Sequence, residues 1–187
     1  KEAVGSLAGE EPPAEIVVSE PSAGRSVRLL VDVRNGQKTG FFIDQKESRE
    51  RVAGYCRGKS VLNLYAYTGA FSVHALAAGA ARVVSVDSSE PALRQAQRNC
   101  ELNEFTIPAA DFVTADVPTL LRSYRDRGEQ FDVIIVDPPK FASSAHQVDR
   151  AARAYKDINL LSMKLLRAGG ILASFSCSGG VSADLFQ

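Results

Sequence analysis

Residues 60–87, SVLNLYAYTGAFSVHALAAGAARVVSVD, set two kinds of apolar order side by side. SVLNLYAY is a short aliphatic and aromatic run and suits a buried strand. AFSVHALAAGA is rich in alanine and ends in glycine, as a helix with its stop does. RVVSVD is a second strand. Strand, helix, strand in so short a stretch is the repeating unit of a parallel sheet, because parallel neighbours need a crossover between them.

The unit recurs downstream. SSEPALRQAQRNCELN opens on a Ser cap with Pro in the first turn, which marks a helix start. DFVTAD is a third strand and VPTLLRSYRDRG a helix. FDVIIVD is a fourth strand, a long helix spans roughly residues 144–167, and after the turn AGG comes a fifth strand, ILASFSC. Uniformly apolar strands imply an α/β, Rossmann-like parallel sheet covered on both faces. Ligands of such sheets bind at the carboxyl ends of the strands. The distinctive residues all fall there: Tyr67-Thr68-Gly69, Asp87, Asp116, Asp137-Pro138-Pro139 and Cys177.

Upstream, residues 1–24 are rich in Glu, Pro and Gly and are expected to form a linker or loose segment. SVRLLVDVRNGQKTGFFID alternates, with Val27, Leu29, Val31 and Val33 on one face. Asn35-Gly36 favours a type I′ turn, so residues 25–58 are expected to hold a β-hairpin centred there, then a connecting helix. Residues 59–187 form the third division, a sheet domain. The chain starts with Lys and stops soon after a core strand, so it is expected to be a piece of a longer protein with C-terminal strands missing.

Composition narrows the functions. The chain has 22 basic and 22 acidic residues, but residues 25–60 carry nine Lys or Arg against four Asp or Glu. That basic stretch suits a polyanion or a solvated surface equally in kind, the latter being commoner. No apolar run is long enough to span a membrane, and the opening residues do not read as a signal peptide, so none is expected. Three cysteines (Cys56, Cys100, Cys177) and two histidines lack metal-ligand spacing, so no metal is expected. A cytoplasmic protein with reduced thiols is the expectation.

The turn after the first strand has one glycine, not GxGxxG, which argues against a dinucleotide and hence a dehydrogenase. Asp87 stands where a carboxylate can take a ribose diol, and Asp116 where one can meet an adenine amino group. Each also suits a helix cap or surface turn. A ribose and an adenine without a pyrophosphate cradle suggest S-adenosylmethionine.

FDVIIVDPPKF drives an apolar strand into Asp137 and two prolines that fix the backbone. In amino-methylating enzymes a D/N-P-P-aromatic turn holds the nitrogen being methylated; here Lys140 takes the aromatic's place and Phe141 follows. Together with TGFFIDQKESR, VLNLYAYTGAFSVHALAAGA, VVSVDSSEPALRQAQRN and YKDINLLSMKLLRAGGILASFSCSGGVS, this turn resembles the RlmI-like family of S-adenosylmethionine-dependent methyltransferases. That family makes 5-methylcytosine in large-subunit ribosomal RNA, on a class I methyltransferase sheet.

The resemblance implies a ribose contact at Asp87 with Ser88, an adenine contact at Asp116, and a methionine site along Asn63, Tyr65, Tyr67, Thr68, Gly69, Ala70 and Phe71. It implies that Phe41, Asp44 and Gln45 close over the cofactor, that Asp137 and Pro138 complete its site, and that Pro138, Pro139 and Lys140 face the substrate base. Ribosomal RNA is the implied partner, held partly by an RNA-binding module outside this fragment; an exposed sheet edge leaves a homodimer open. Cys177 is the expected nucleophile, since a thiolate added to cytosine C6 activates C5, and Asp137 would support it from the N3/N4 edge. Taken alone, Cys177 also suits a small buried residue at a strand end. Lys140, Tyr155 and Lys156 are candidates for RNA contact or for a solvated helix face. Two other readings stay open: a purine nitrogen methyltransferase using the DPP turn, and a catalytically silent cofactor- or RNA-binding domain.

Overall fold

The computed structural model describes residues 9–11, 13–36, 40–141 and 148–186. Strands β1 (Glu15–Ser22) and β2 (Arg25–Asp32) pair as an antiparallel hairpin. Five further strands, β3 (Ser60–Leu64), β4 (Arg82–Asp87), β5 (Phe112–Thr114), β6 (Phe131–Val136) and β7 (Leu166–Ser174), form a parallel sheet in the order β5-β4-β3-β6-β7. The helices are α1 (Lys46–Ala53), α2 (Ala70–Ala77), α3 (Glu90–Leu102), α4 (Val117–Asp126), α5 (Val148–Lys164) and α6 (Ala183–Phe186). Any part of the expected long helix before Val148 lies outside the described residues. Among the described residues, no helix is long and apolar enough to cross a membrane.

The two-residue period of a strand divides the core. Leu62, Leu64, Val84, Val86, Ile134 and Val136 face α4 and α5, where Leu121 and Ile158 meet them. Their neighbours Val61, Val83, Val133 and Ile135 face the other way, onto Val52 of α1 and Phe71 and Ala75 of α2. Each such buried side chain contributes about 1.5–3 kcal/mol relative to exposure, so both faces need helices and the sheet is doubly wound. β3 is central, and the chain order reverses between β3 and β6, which opens the crevice at their carboxyl ends.

The hairpin is present but not where Asn35-Gly36 pointed. Its turn is Ala23-Gly24, at φ 49° and 79°, the left-handed pair of a type I′ turn. Residues expected to be loose linker therefore supply β1. Asn35-Gly36 instead follows the end of β2, in a turn led by Asp32, whose carboxylate accepts the N–H groups of Arg34 and Asn35 at 2.9 and 2.8 Å. Residues 37–39 lie outside the described set.

The far edge of β2 is taken by side chains from another element. Gln95 and Asn99 of α3 and its C-cap Asn103, spaced four residues apart, take the backbone groups a strand would use. Asn99 Oδ1 accepts from Leu30 N–H at 2.7 Å, Asn103 Oδ1 from Arg28 N–H at 2.8 Å, and Asn103 Nδ2 donates to Arg28 C=O at 2.6 Å. Gln95 Nε2 reaches Leu30 C=O at 3.4 Å. The edge is satisfied by a helix, and residues 43–45 are free to turn as a short 3-10 helix toward the sheet.

Candidate active site

After β3 the chain turns through Tyr65, Tyr67 and Gly69, all at positive φ (59°, 48° and 77°). Such a run is costly for residues with a side chain and persists only where its surroundings hold it. Ala66 N–H donates to Val86 C=O at 2.9 Å, Tyr67 N–H to Asp87 Oδ2 at 2.8 Å, and Asn99 Nδ2 to Thr68 C=O at 2.8 Å. Asn99 thus ties this loop to the hairpin. At Gly69 a Cβ would stand 2.7 Å from Ala96 Cβ, so the loop is pressed onto α3 where only glycine fits. Beneath it, Asn63 Nδ2 donates to Ser72 Oγ at 2.8 Å, and Ser72 pairs with Ser85 Oγ at 2.7 Å. Asn63 Oδ1 is buried with no hydrogen-bond partner among the described residues.

Asp87, at the end of β4, is half-buried and uses one lone pair on each oxygen, for Tyr67 N–H and for Ser89 N–H at 2.9 Å. Asp116 caps α4, its Oδ1 accepting from Thr119 N–H at 3.1 Å. The cap weighed in the sequence is therefore real. Near them, burial first, then the charges of Asp116 and Asp87, push the Tyr65 hydroxyl well above the usual range.

The DPP turn closes the crevice from β6. Burial, reinforced by the charge of Asp44 and opposed by Arg49, raises Asp137 to about 6. Gln45 Nε2 approaches Asp137 Oδ1 at 3.4 Å, so the segment after the hairpin reaches the DPP turn. Phe41, however, is not at the rim. It packs with Val27, Leu29, Val31 and Val73 under the Arg49 guanidinium, 4.7 Å from its ring centre. Phe42 is the ring that meets Tyr67, edge to face at 5.9 Å.

What fixes that segment is a cluster the sequence reading missed. Arg49, only 2% exposed, grips Glu20 with two hydrogen bonds at 2.7 and 2.9 Å and donates to Phe42 C=O at 3.0 Å. His74 Nε2 lies 3.0 Å from Glu20 Oε2. Burial raises the Glu20 carboxyl, but the bonds to His74 and Arg49 outweigh it and bring it down to about 2. The available signal was a Glu in a strand-like run and an Arg in a short helix, both too common to read.

Cys177 lies three residues beyond β7. Phe175 N–H still donates to Val136 C=O at 2.9 Å and its ring packs on Phe71, so the strand's direction carries to the DPP turn. The thiol is exposed, with Sγ 3.8 Å from Pro138 C=O. Its exposure removes the reading of Cys177 as a small core residue. Cys56 and Cys100 are buried, and burial pushes their thiols up to about 11 and about 12. Tyr155 is buried too, which corrects its assignment to an RNA-facing or solvated surface; Lys140 and Lys156 are exposed. Pro138 is buried, while Pro139 and Ser88 are exposed and Ala70 half-buried. Among the described residues, no group of His, Cys, Asp or Glu is arranged to hold a metal.

Comparison with known proteins agrees with this geometry. At 50% identity over 187 residues, the chain is similar to ribosomal RNA large subunit methyltransferase I of Aliivibrio fischeri, covering all of this chain and 46% of that protein. The same enzyme of Escherichia coli is 50% identical over 183 residues, 98% of this chain and 45% of the relative. The chain therefore spans about half the length of the curated relatives it matches. Among solved structures, SMU.776 complexed with SAH, a methyltransferase by assignment, superposes with a TM-score of 0.82 at 28% identity over 96% of this chain and 46% of that one. The family model for S-adenosylmethionine-dependent methyltransferases runs from residue 7 to residue 186, across hairpin, sheet and thiol loop alike; the chain belongs to that family.

Proposed function

We propose that the protein containing this chain methylates C5 of a cytosine in large-subunit ribosomal RNA, in the cytoplasm, through a transient bond between Cys177 and C6. The observation that carries the reading is the exposed Cys177 thiol against the Pro138 carbonyl, beside a carboxyl raised to about 6.

S-adenosylmethionine, when bound, supplies an electrophilic methyl group on a cationic sulfonium. The donor set fits it. Asp44 lies within electrostatic reach of Asp137, and Asp87 and Asp116 within reach of Tyr65; Asp87 keeps a lone pair on each oxygen, and Asn63 Oδ1 is left without a partner among the described residues. The set proposed to hold the cofactor is Asp44, Gln45, Asn63, Tyr65, Tyr67, Thr68, Gly69, Ala70, Asp87, Ser88, Asp116, Asp137 and Pro138, with Phe41 and Phe71 packed behind it. Pro138, with Pro139 and Lys140 exposed beyond it, is proposed to meet the RNA base.

Addition of the Cys177 sulfur to C6 opens the C5–C6 double bond and makes C5 enamine-like. C5 takes the methyl group; a base then removes the C5 proton as the C6–S bond breaks, and the thiolate returns. With its raised pKa, Asp137 is present in both forms near neutral pH: the neutral carboxyl donates to cytosine N3, the carboxylate accepts from the N4 amino group. Reaching Cys177 requires the base to leave its stack.

The test is a trap. Full-length protein is incubated with S-adenosylmethionine and ribosomal RNA carrying 5-fluorocytidine, which has no removable C5 proton. A covalent complex that disappears in Cys177→Ala supports the reading. Methylation of ordinary RNA by Cys177→Ala would refute it and move the chemistry to a nitrogen held at the DPP turn.

A further inference from the structure

Cys177 is flanked by two serines, and both turn inward onto one hydroxyl. Ser176 Oγ donates to Tyr155 Oη at 3.0 Å, Tyr155 Oη lies 3.1 Å from Ser178 Oγ, and Ser178 N–H donates to Ser176 Oγ at 3.3 Å. Since Tyr155 accepts from Ser176, its own proton serves Ser178. Ser178 Oγ also accepts from Phe141 N–H at 3.1 Å, which joins the ring of bonds to the residue after the DPPK turn. Tyr155 is 4% exposed and clamped between Phe141 and Phe186, ring centres 4.9 and 5.2 Å away. With the side chains at 176 and 178 held on the α5 side, the side chain between them is directed to the other side, where Pro138 stands.

We propose that Tyr155 is a positioning residue for the thiol: its hydroxyl, through Ser176 and Ser178, holds the 176–178 backbone so that Cys177 Sγ faces the DPP turn. Its importance for methyl transfer rests on the function proposed above; the holding of the loop does not.

Tyr155→Phe keeps the ring between Phe141 and Phe186 and removes the shared hydroxyl, and Ser176→Ala removes one of its bonds. Two readouts are made on the full-length protein, well below its unfolding temperature. The first is the rate at which iodoacetamide alkylates Cys177, followed by mass spectrometry with buried Cys56 and Cys100 as internal controls. The second is kcat and KM for methylation. The loss of bonds each worth about a factor of two to ten should raise the alkylation rate about threefold or more and lower kcat about fivefold. KM for S-adenosylmethionine should stay within about twofold, because the hydroxyl, projecting from α5, bonds the two serines and not the crevice. Ser176→Ala should shift both readouts the same way by less. An alkylation rate equal to that of the unaltered protein in both variants overturns the proposal. Full methylation by Cys177→Ala together with faster alkylation in Tyr155→Phe would overturn the catalytic reading and uphold the holding of the loop.

Discussion

Glu20 and Asp137 are both carboxylates drawn out of water, and the molecule moves them in opposite directions. At the seam between hairpin and helices, Glu20 meets Arg49 and His74 with every contact in hydrogen-bond range and falls to about 2. At the strand-end rim, Asp137 has burial and the Asp44 charge against it, one long contact from Gln45, and only the field of Arg49 in its favour; it rises to about 6. Burial raises both; partners decide the sign. The seam spends both Glu20 oxygens on Arg49 and His74 and so fixes a geometry, although His74 Nδ1 has no hydrogen-bond partner among the described residues. The rim leaves a carboxyl, an amide oxygen and a thiol with bonding capacity unspent, which is what a ligand needs.

The largest effect should come from breaking the seam. Glu20→Ala strands the Arg49 guanidinium in a buried site, and uncompensated buried charges cost about 3–5 kcal/mol. Urea unfolding at neutral pH should show that loss, whereas Asp137→Asn should leave stability unchanged or higher. A Glu20→Ala loss below about 1 kcal/mol would mean that the seam is not the pinned region the contrast requires. Next in size is Gly69→Ala. The position combines φ 77° with an Ala96 Cβ 2.7 Å from where the new methyl would sit. Strain of this kind costs about 1–3 kcal/mol, and because the displaced loop carries Tyr67 against Asp87, cofactor affinity measured by calorimetry should fall with it.

The two carboxylates also predict opposite pH windows. Glu20 is lowered in the folded state, so its contribution is present above its ordinary 4.5 and lost as pH falls toward 2. Asp137 is raised, so its contribution is full below its ordinary 3.8 and lost as pH rises through about 6. Stability measured across pH should therefore decline between about 4 and 6 less steeply in Asp137→Asn than in the unaltered protein. Equal slopes would place Asp137 in a more solvated site and remove its half of the contrast.

Much of the rim was legible in the sequence because it follows from topology. A run of apolar strands and helices dictates a parallel sheet, and that sheet puts Gly69, Asp87, Asp116, Asp137 and Cys177 at one end whatever the packing details. The seam was not legible, because it is made of long-range partners. Asn-Gly at 35–36 is a better local hairpin signal than Ala-Gly at 23–24, yet the described hairpin turns at 23–24, and Gln95, Asn99 and Asn103 bond the far edge of β2. Phe41 and Phe42 are likewise adjacent and alike in sequence; one packs with Val27, Leu29, Val31 and Val73 under Arg49 and the other meets Tyr67, contacts made by residues far apart in the chain. Tyr155, in a charged helical stretch, gave no sign that two serines would converge on it.

Asp116 is where both kinds of region meet in one side chain, and it carries the smallest prediction. Its Oδ1 is occupied by Thr119 N–H and Thr119 Oγ1, at 3.1 and 2.5 Å, as a structural cap, while its charge, like that of Asp87, acts on Tyr65. Replacing a capping Asp with Ala costs about 1 kcal/mol, and Asn caps about as well as Asp. Asp116→Asn should thus keep the stability that Asp116→Ala loses. If the side chain also accepts from an adenine amino group, Asp116→Ala should weaken S-adenosylmethionine binding about three- to tenfold, and Asn, whose amide oxygen still accepts, should weaken it less. If both variants bind the cofactor as tightly as the unaltered protein while only Ala is destabilised, Asp116 belongs with Glu20 among the groups that hold geometry, and recognition of the adenine must come from elsewhere on the rim.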